Sequence, residues 1–379
     1  MALEDTQKKT RFVTLFPETG WIHLLKDVGM IPYTMYKNFD YDASIVTYQN
    51  GDYPYLDNKV KGLKLEYLSR TDNDTKDGID YLTHHARDID VLHLFHLSQR
   101  TFDWIHIYKK LNPNGKVYLK LDTTEAIAGA DQGFWNWVKS ALRKCHVVSA
   151  ETLEVCKCLN DKWPIRVEYV TNGVYECPKC LIDYQEKEDT ILTVGRIGTH
   201  QKYNEVLLTA FKLAHTHMPN WKLKLLGPTP PEFQQVMTNY YLKNPELKNK
   251  VILLEETADR SYINEEYKKA KIFCLTSRWE GFPLVFPEAA IHGCFIISSD
   301  LASARDITGN GKYGETFPIG DSQQLAELLI KTSNDENKLK AICPDIQQFA
   351  RDNFQWDKIC QTLHSALSKP VPNNTKAGL

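Results

Sequence analysis

The feature that most constrains this chain is an alternation of short apolar strands with helical segments, punctuated by glycine loops, that occurs in two successive series. In the first, Arg11–Phe16 reads as a strand, Pro17-Glu18-Thr19-Gly20 breaks it, and Trp21–Gly29 has helical spacing. Strands at Ser44–Tyr48, Val91–Phe95 and Lys116–Leu121 follow, with helices at Asp77–Arg87 and Thr101–Leu111. The second series begins after a charged connector, Asp183–Asp189. Its strands are Thr190–Val194, Lys222–Leu226, Val251–Leu254, Ile272–Leu275 and Phe295–Ser298. Its helices are Asn204–His217, Pro231–Asn239, Ser261–Ala270, Leu284–His292 and Ser322–Thr332. Strands alternating with helices predict an α/β chain with mostly parallel sheets, and two series predict two facing domains. Ligands of open parallel sheets sit at the carboxyl ends of the strands, so a cleft between the halves is the expected site.

The expected domains are 1–175 and 190–354, joined by a linker at 176–189. A last helix at 355–368 is expected to cross back to the first domain, ahead of a flexible polar tail at 369–379. At 379 residues the chain is long enough for two such domains. With 46 Lys plus Arg against 48 Asp plus Glu, its net charge of −2 supplies no global field for nucleic acid. No stretch approaches the roughly 20 apolar residues of a membrane span, and the start has no apolar signal core, so a cytoplasmic location is expected. The nine cysteines are then expected as reduced thiols.

The most informative segment is Ser277-Arg278-Trp279-Glu280-Gly281-Phe282-Pro283-Leu284-Val285-Phe286-Pro287-Glu288. A strand ends, Gly281 and Pro283 make a turn, and a helix starts near Leu284. Free N–H groups and the positive end of that helix suit a diphosphate. Glu288, in the first turns, is placed to accept from a ribose hydroxyl, and Glu280, in the loop before it, to reach another part of the same ligand. Taken singly, each carboxylate also reads as a solvated surface residue. Gly195-Arg196 ends the opening strand of the second series and Lys202 follows six residues later, so loop cations are available to converge on a diphosphate and neutralise a leaving group.

Together these residues resemble glycosyltransferase family 4, the retaining enzymes of the GT-B fold. The landmarks are Gly195-Arg196 with Lys202, the Glu280/Glu288 pair, Thr171-Asn172-Gly173-Val174, Asp321 to Leu328, and Phe354-Gln355-Trp356 at the start of a crossing helix. The resemblance implies two facing Rossmann-like domains with an interdomain cleft. It implies that Arg196 and Lys202 hold the donor diphosphate, Glu288 the ribose and Glu280 the sugar hydroxyls. Gly195 and the backbone of Gly281, Phe282, Pro283, Leu284 and Val285 would contact sugar and phosphate, Glu256 would flank the base, and the loop at Gly20 would lie near the diphosphate.

Two departures stand out. The loop at Gly20 carries one glycine where the family commonly has two. Where many members place a His near the sugar, this chain places Asp122, which either hydrogen-bonds a donor hydroxyl, stabilises positive character on the anomeric carbon, or caps the following helix. Of the nearby histidines, His93 reads as a core imidazole and His96, at the strand's end, as facing the cleft.

Other signals weigh less. Asp88-Ile89-Asp90 matches a metal-binding Asp-x-Asp but precedes its strand, at the amino end. Cys156, Cys158, Cys177 and Cys180 have zinc-like spacings, yet in a helix Cys156 and Cys158 point apart. The aromatic and basic stretch 134–144 suits either a peripheral contact with an anionic membrane or ordinary core packing.

The reading is a metal-independent retaining hexosyltransferase that needs no cofactor beyond its nucleotide-sugar cosubstrate, with UDP-sugars favoured over GDP-sugars. Its acceptor is a carbohydrate, a lipid-linked glycan or a protein. Nucleic acid is not an expected partner. A related epimerase or phosphorylase, or a non-catalytic nucleotide-sugar-binding subunit, are the rival expectations.

Overall fold

The computed structural model describes residues 8–124, 127, 132–163 and 165–370, without the side chains of Gln132 and Trp135. The chain divides into two compact units, one made of residues 1–175 and 356–379, the other of Glu176–Gln355. The expected polar start and tail fall largely at 1–7 and 371–379, outside the described residues.

Unit 1 is a seven-stranded parallel sheet of β1 (Arg11–Leu15), β2 (Asp42–Thr47), β3 (Lys64–Tyr67), β4 (Val91–Phe95), β5 (Lys116–Lys120), β6 (Val147–Ala150) and β7 (Val167–Tyr169). Its order is β3-β2-β1-β4-β5-β6-β7, a doubly wound sheet whose direction of growth reverses between β1 and β4. Central strands such as β4 are buried on both faces, which is why they read as continuous apolar runs. The helix Trp356–Ser368 belongs to this unit. His364 stacks on Phe39 at 4.9 Å and pairs through Nδ1 with the Tyr41 hydroxyl at 3.1 Å, and the Lys116 ammonium donates to the Leu367 carbonyl at 2.5 Å.

Unit 2 is a six-stranded parallel sheet of β8 (Glu188–Val194), β9 (Lys222–Leu226), β10 (Val251–Leu254), β11 (Ala270–Leu275), β12 (Phe295–Ser299) and β13 (Gly314–Phe317). Its order, β10-β9-β8-β11-β12-β13, reverses between β8 and β11. The loops that follow those two strands are therefore neighbours, although about 80 residues separate them in sequence.

The structure departs from the sequence reading in three places. The segment expected as a helix at Trp21–Gly29 is a 3-10 turn, Trp21–Leu25, followed by a helix at Asp27–Phe39. Gly29 lies inside that helix, at a position with no room for a side chain, since a Cβ there would meet the Leu24 carbonyl oxygen at 2.3 Å. The connector expected at 176–189 is packed structure: Ile182 and Tyr184 are buried, and the buried Lys187 ammonium donates to the carbonyls of Lys268, Ala270 and His292. Short strands β3, β6, β7 and β13 and the helix Glu336–Asn353 were not legible; the strands are only three or four residues long, too short to show a period, and Pro344 interrupts the helical pattern.

Candidate functional site

The loops after β8 and β11 bring together residues predicted from their separate motifs. Lys202 Nζ lies 2.5 Å from Glu280 Oε1, and Ser277 Oγ donates to the same oxygen at 2.6 Å. Gln201 Nε2 reaches the second Glu280 oxygen at 3.3 Å and the Trp279 carbonyl at 2.9 Å. Thr276 Oγ1 donates to the Lys202 carbonyl at 2.9 Å, tying the two loops at their roots. Arg196 is exposed and donates through Nη2 to Gln201 Oε1 at 2.6 Å. Arg196, Lys202 and Glu280 thus converge through Gln201, and the Arg278 guanidinium stacks over the Tyr203 ring at 3.4 Å beside them.

Two glycines permit this approach. Gly195 has φ of +152° and donates its N–H to Leu226, while Gly227, at the end of β9, has φ of +138°. A Cβ on Gly227 would stand 2.0 Å from the Gly195 carbonyl oxygen. Gly227→Ala adds backbone strain to a clash with rigid backbone, so a loss of about 3 kcal/mol is expected. Thermal unfolding of the purified variant checks this; an unchanged Tm contradicts it.

Glu288 sits in a helix of seven residues, Val285–Ile291, with Leu284 as its cap. Its Oε1 pairs with Arg260 Nη2 at 2.5 Å and its Oε2 accepts from the Tyr267 hydroxyl at 3.1 Å. Burial disfavours the Arg260 charge, but Glu288 outweighs it and holds the guanidinium above its ordinary pKa. The sequence reading missed this partner; the available signal was Arg260 and Tyr267 seven residues apart, on one helix face. Gly281, Pro283, Leu284 and Val285 are half-buried, whereas Phe282 is buried and stacks on Phe354 at 5.4 Å, so its ring is a core anchor. Glu256 is exposed just beyond β10.

Unit 1 carries its own group at the carboxyl ends of its strands. Gly20 follows β1 and donates its N–H to His23 Nδ1 at 2.8 Å, and Asn50 Nδ2 and the Tyr53 hydroxyl hold the adjacent Thr19 carbonyl. His96 ends β4 with φ of +62°, a left-handed conformation that costs a non-glycine residue about 1 kcal/mol or more. His93 is buried as expected, bonded to Thr14 Oγ1 at 3.0 Å and stacked on Tyr118, and burial lowers its pKa to about 3, which keeps it neutral. Asp122 is exposed beyond β5. The expectation that it caps a following helix falls on residues 125, 126 and 128–131, outside the described residues.

A second feature the sequence reading missed lies behind Asp122. Lys120, fully buried at the end of β5, donates to Asp27 Oδ2 at 2.9 Å, to Asn172 Oδ1 at 3.0 Å and to Glu151 Oε1. One cation serves two carboxylates. Burial raises both, but Lys120 and the Val28 N–H hold Asp27 below its usual range. For Glu151 burial wins over Lys120, with Asp122 and Asp27 adding repulsion, and its pKa rises to about 8. The signal available was a lysine inside an apolar strand, Lys116-Val117-Tyr118-Leu119-Lys120.

The Asp90 carboxylate accepts from the Arg11 N–H at 2.8 Å, at the amino end of β1. Cys156 is buried in the helix Leu153–Lys162 with Sγ toward the Ala150 and Glu168 carbonyls. Among the described residues no group of three or more His, Cys, Asp or Glu is placed to hold a metal ion. In the stretch 134–144, Val138, Ala141 and Leu142 are buried, and Trp137 stands 4.4 Å from the Phe102 ring, donating to Gln99. The side chain of Trp135 lies outside the described residues. No described helix is long and apolar enough to cross a membrane.

Two doubly wound parallel sheets of this order define the GT-B class of fold, and solved structures agree. Sucrose-phosphate synthase from Thermosynechococcus elongatus superposes with a TM-score of 0.72 over 94% of this chain and 98% of that one, at 14% identity. HepE from Anabaena, in complex with UDP and glucose, gives 0.71 over 95% and 100%, at 15% identity. Residues 182–348 match the family described as Glycosyl transferases group 1. A Campylobacter jejuni undecaprenol-linked N-acetyl-D-galactosaminyltransferase is 30% identical over 55% of this chain and 58% of its own length. The capsular polysaccharide glycosyltransferase CapM of Staphylococcus aureus is 26% identical over 45% of this chain and 44% of its own. The chain thus spans about half the length of these two relatives.

Proposed function

We propose that the protein is a retaining, family 4 glycosyltransferase that moves one hexose from a nucleotide diphosphate sugar to a hydroxyl acceptor without an essential metal. The observation that carries this reading is the convergence of Arg196, Lys202 and Glu280 where the sheet of unit 2 reverses, with Glu288 one short helix further on. Two cations beside the expected diphosphate stabilise the charge that develops as it leaves. Glu280 accepts from hydroxyls of the transferred sugar, and Glu288 from the ribose. Glu256 flanks the base.

In this reading the acceptor oxygen forms its bond to the anomeric carbon on the face from which the diphosphate departs. The bond from that carbon to the phosphate oxygen breaks, and a phosphate oxygen takes the acceptor's proton. No separate general base is required. UDP-sugars are the favoured donors, in line with HepE and its bound UDP. A lipid-linked glycan of polysaccharide synthesis is the favoured acceptor, in line with the undecaprenol-linked substrate in the name of the Campylobacter jejuni relative.

A thermal-shift screen over UDP-, GDP- and ADP-sugars tests the proposal. Ligand at about 100 times its Kd adds roughly 2.7 kcal/mol of apparent stability, so one donor class is expected to raise Tm by several degrees. No rise with any nucleotide sugar contradicts the donor site.

A further inference from the structure

Glu288 is not a lone carboxylate. Arg260, at the start of the helix Arg260–Lys269, holds one oxygen at 2.5 Å and Tyr267, two turns along the same helix, holds the other at 3.1 Å. Tyr267 is itself fully buried and stacks on His292 at 5.6 Å, and His292 Nδ1 meets the Glu288 carbonyl at 2.7 Å. Asn264 on the same helix donates to Glu176 at 3.2 Å. The Glu288 side chain therefore rests on a fixed support, and its rotamer is set before any ligand arrives.

The arrangement has two chemical consequences. A carboxylate accepts hydrogen bonds, and the lone pairs that Arg260 and Tyr267 leave open on Glu288 suit neighbouring hydroxyls. The arginine also compensates the carboxylate's charge, which would otherwise repel a diphosphate in the same cradle. The same compensation recurs at Glu280, where the cation is Lys202.

We infer that Arg260 is a positioning residue: with Tyr267 it holds Glu288 as an oriented, charge-compensated acceptor for the vicinal hydroxyls of a ribose, and so sets a preference for ribonucleoside over dideoxyribonucleoside diphosphates. The inference rests on the reading of Glu288 as the ribose ligand. It adds a residue outside the motif and a selectivity that the motif alone does not specify.

Calorimetry with UDP and 2′,3′-dideoxy-UDP, and with the corresponding guanosine pair, tests it on the full chain. The wild type is expected to favour the ribose form roughly 10-fold or more, the worth of hydrogen bonds to a charged group. Arg260→Gln is expected to lose most of that preference, weakening UDP roughly 10-fold while dideoxy-UDP stays within about 2-fold, and Arg260→Lys to recover part of it. In a double-mutant cycle, Arg260→Gln is expected to cost little once Glu288→Gln is present. Tyr267→Phe, which removes one hydrogen bond and keeps the packing, serves if Arg260→Gln does not fold; an intermediate loss confined to the ribose form is expected. Equal weakening of both analogues, additive losses with Glu288→Gln, or full retention of the ribose preference overturns the role of Arg260. A wild type that binds none of UDP, GDP and ADP overturns the donor site itself.

Discussion

Lys202→Met is expected to lower release of nucleoside diphosphate from the preferred nucleotide sugar by about 10²–10³-fold while the protein stays folded. Removing one preorganised donor aimed at developing charge costs about 2.7–4 kcal/mol in other enzymes. Here the loss falls on the leaving diphosphate, where only Arg196 would remain. Folding should survive, because Glu280 keeps its bonds from Ser277 and Gln201 and the Lys202 backbone keeps that from Thr276. Steady-state turnover together with the melting curve checks this. Activity within a few-fold of wild type would remove Lys202 from the mechanism. Glu280→Gln separates the partner's contribution: it keeps the shape of the loop and abolishes the ion pair, so a loss confined to the sugar portion of the donor should appear as a higher KM for nucleotide sugar with unchanged affinity for the nucleoside diphosphate.

The largest expected loss of stability comes from Lys120→Met. This substitution leaves the ionised Asp27 buried without its cation and Glu151 without its donor, and breaking one side of a buried ion pair costs about 3–5 kcal/mol. For a unit of this size the first unfolding transition should fall on the order of 10 °C. A drop smaller than about 2 °C would show that the cluster is not held by charge. Glu151 adds a pH signature. Its pKa rises from 4.5 to about 8 on folding, so the folded state binds the extra proton between those values. Its stabilising contribution is present in full below pH 4.5 and is lost as pH rises through about 8. Wild-type Tm is therefore expected to fall between pH 6 and pH 9, and Glu151→Gln, which imitates the protonated side chain, should flatten that part of the profile. An identical slope in the variant would place the proton elsewhere.

Much of this molecule was legible in advance because the signals are local. β9 and β10 fall at the predicted residues, since Gly227 and Pro228 end the first and charged residues flank the apolar Val251–Leu254 of the second. The Glu280/Glu288 segment announced a strand end, a turn and a helix in twelve consecutive residues. Lys202 and Glu280 were named separately, and a sheet that reverses between β8 and β11 joins them without further information. Edge strands such as β3, in which Lys64 and Tyr67 are exposed and Leu65 and Glu66 only half-buried, gave no comparable pattern, because a strand with one neighbour is held mainly by backbone bonds.

The amino-acid order by itself determined the two α/β units, the loops that carry chemistry and the residue types placed on them, because periodicity and turn chemistry act over a few residues. Only the tertiary structure decided the polar partners: Arg260 for Glu288 across 28 residues, and Lys120 for Asp27, Glu151 and Asn172 across 93, 31 and 52. Which carboxylate keeps a proton and which keeps its charge follows from burial and from distances of a few ångströms, and both quantities exist only once the chain has folded.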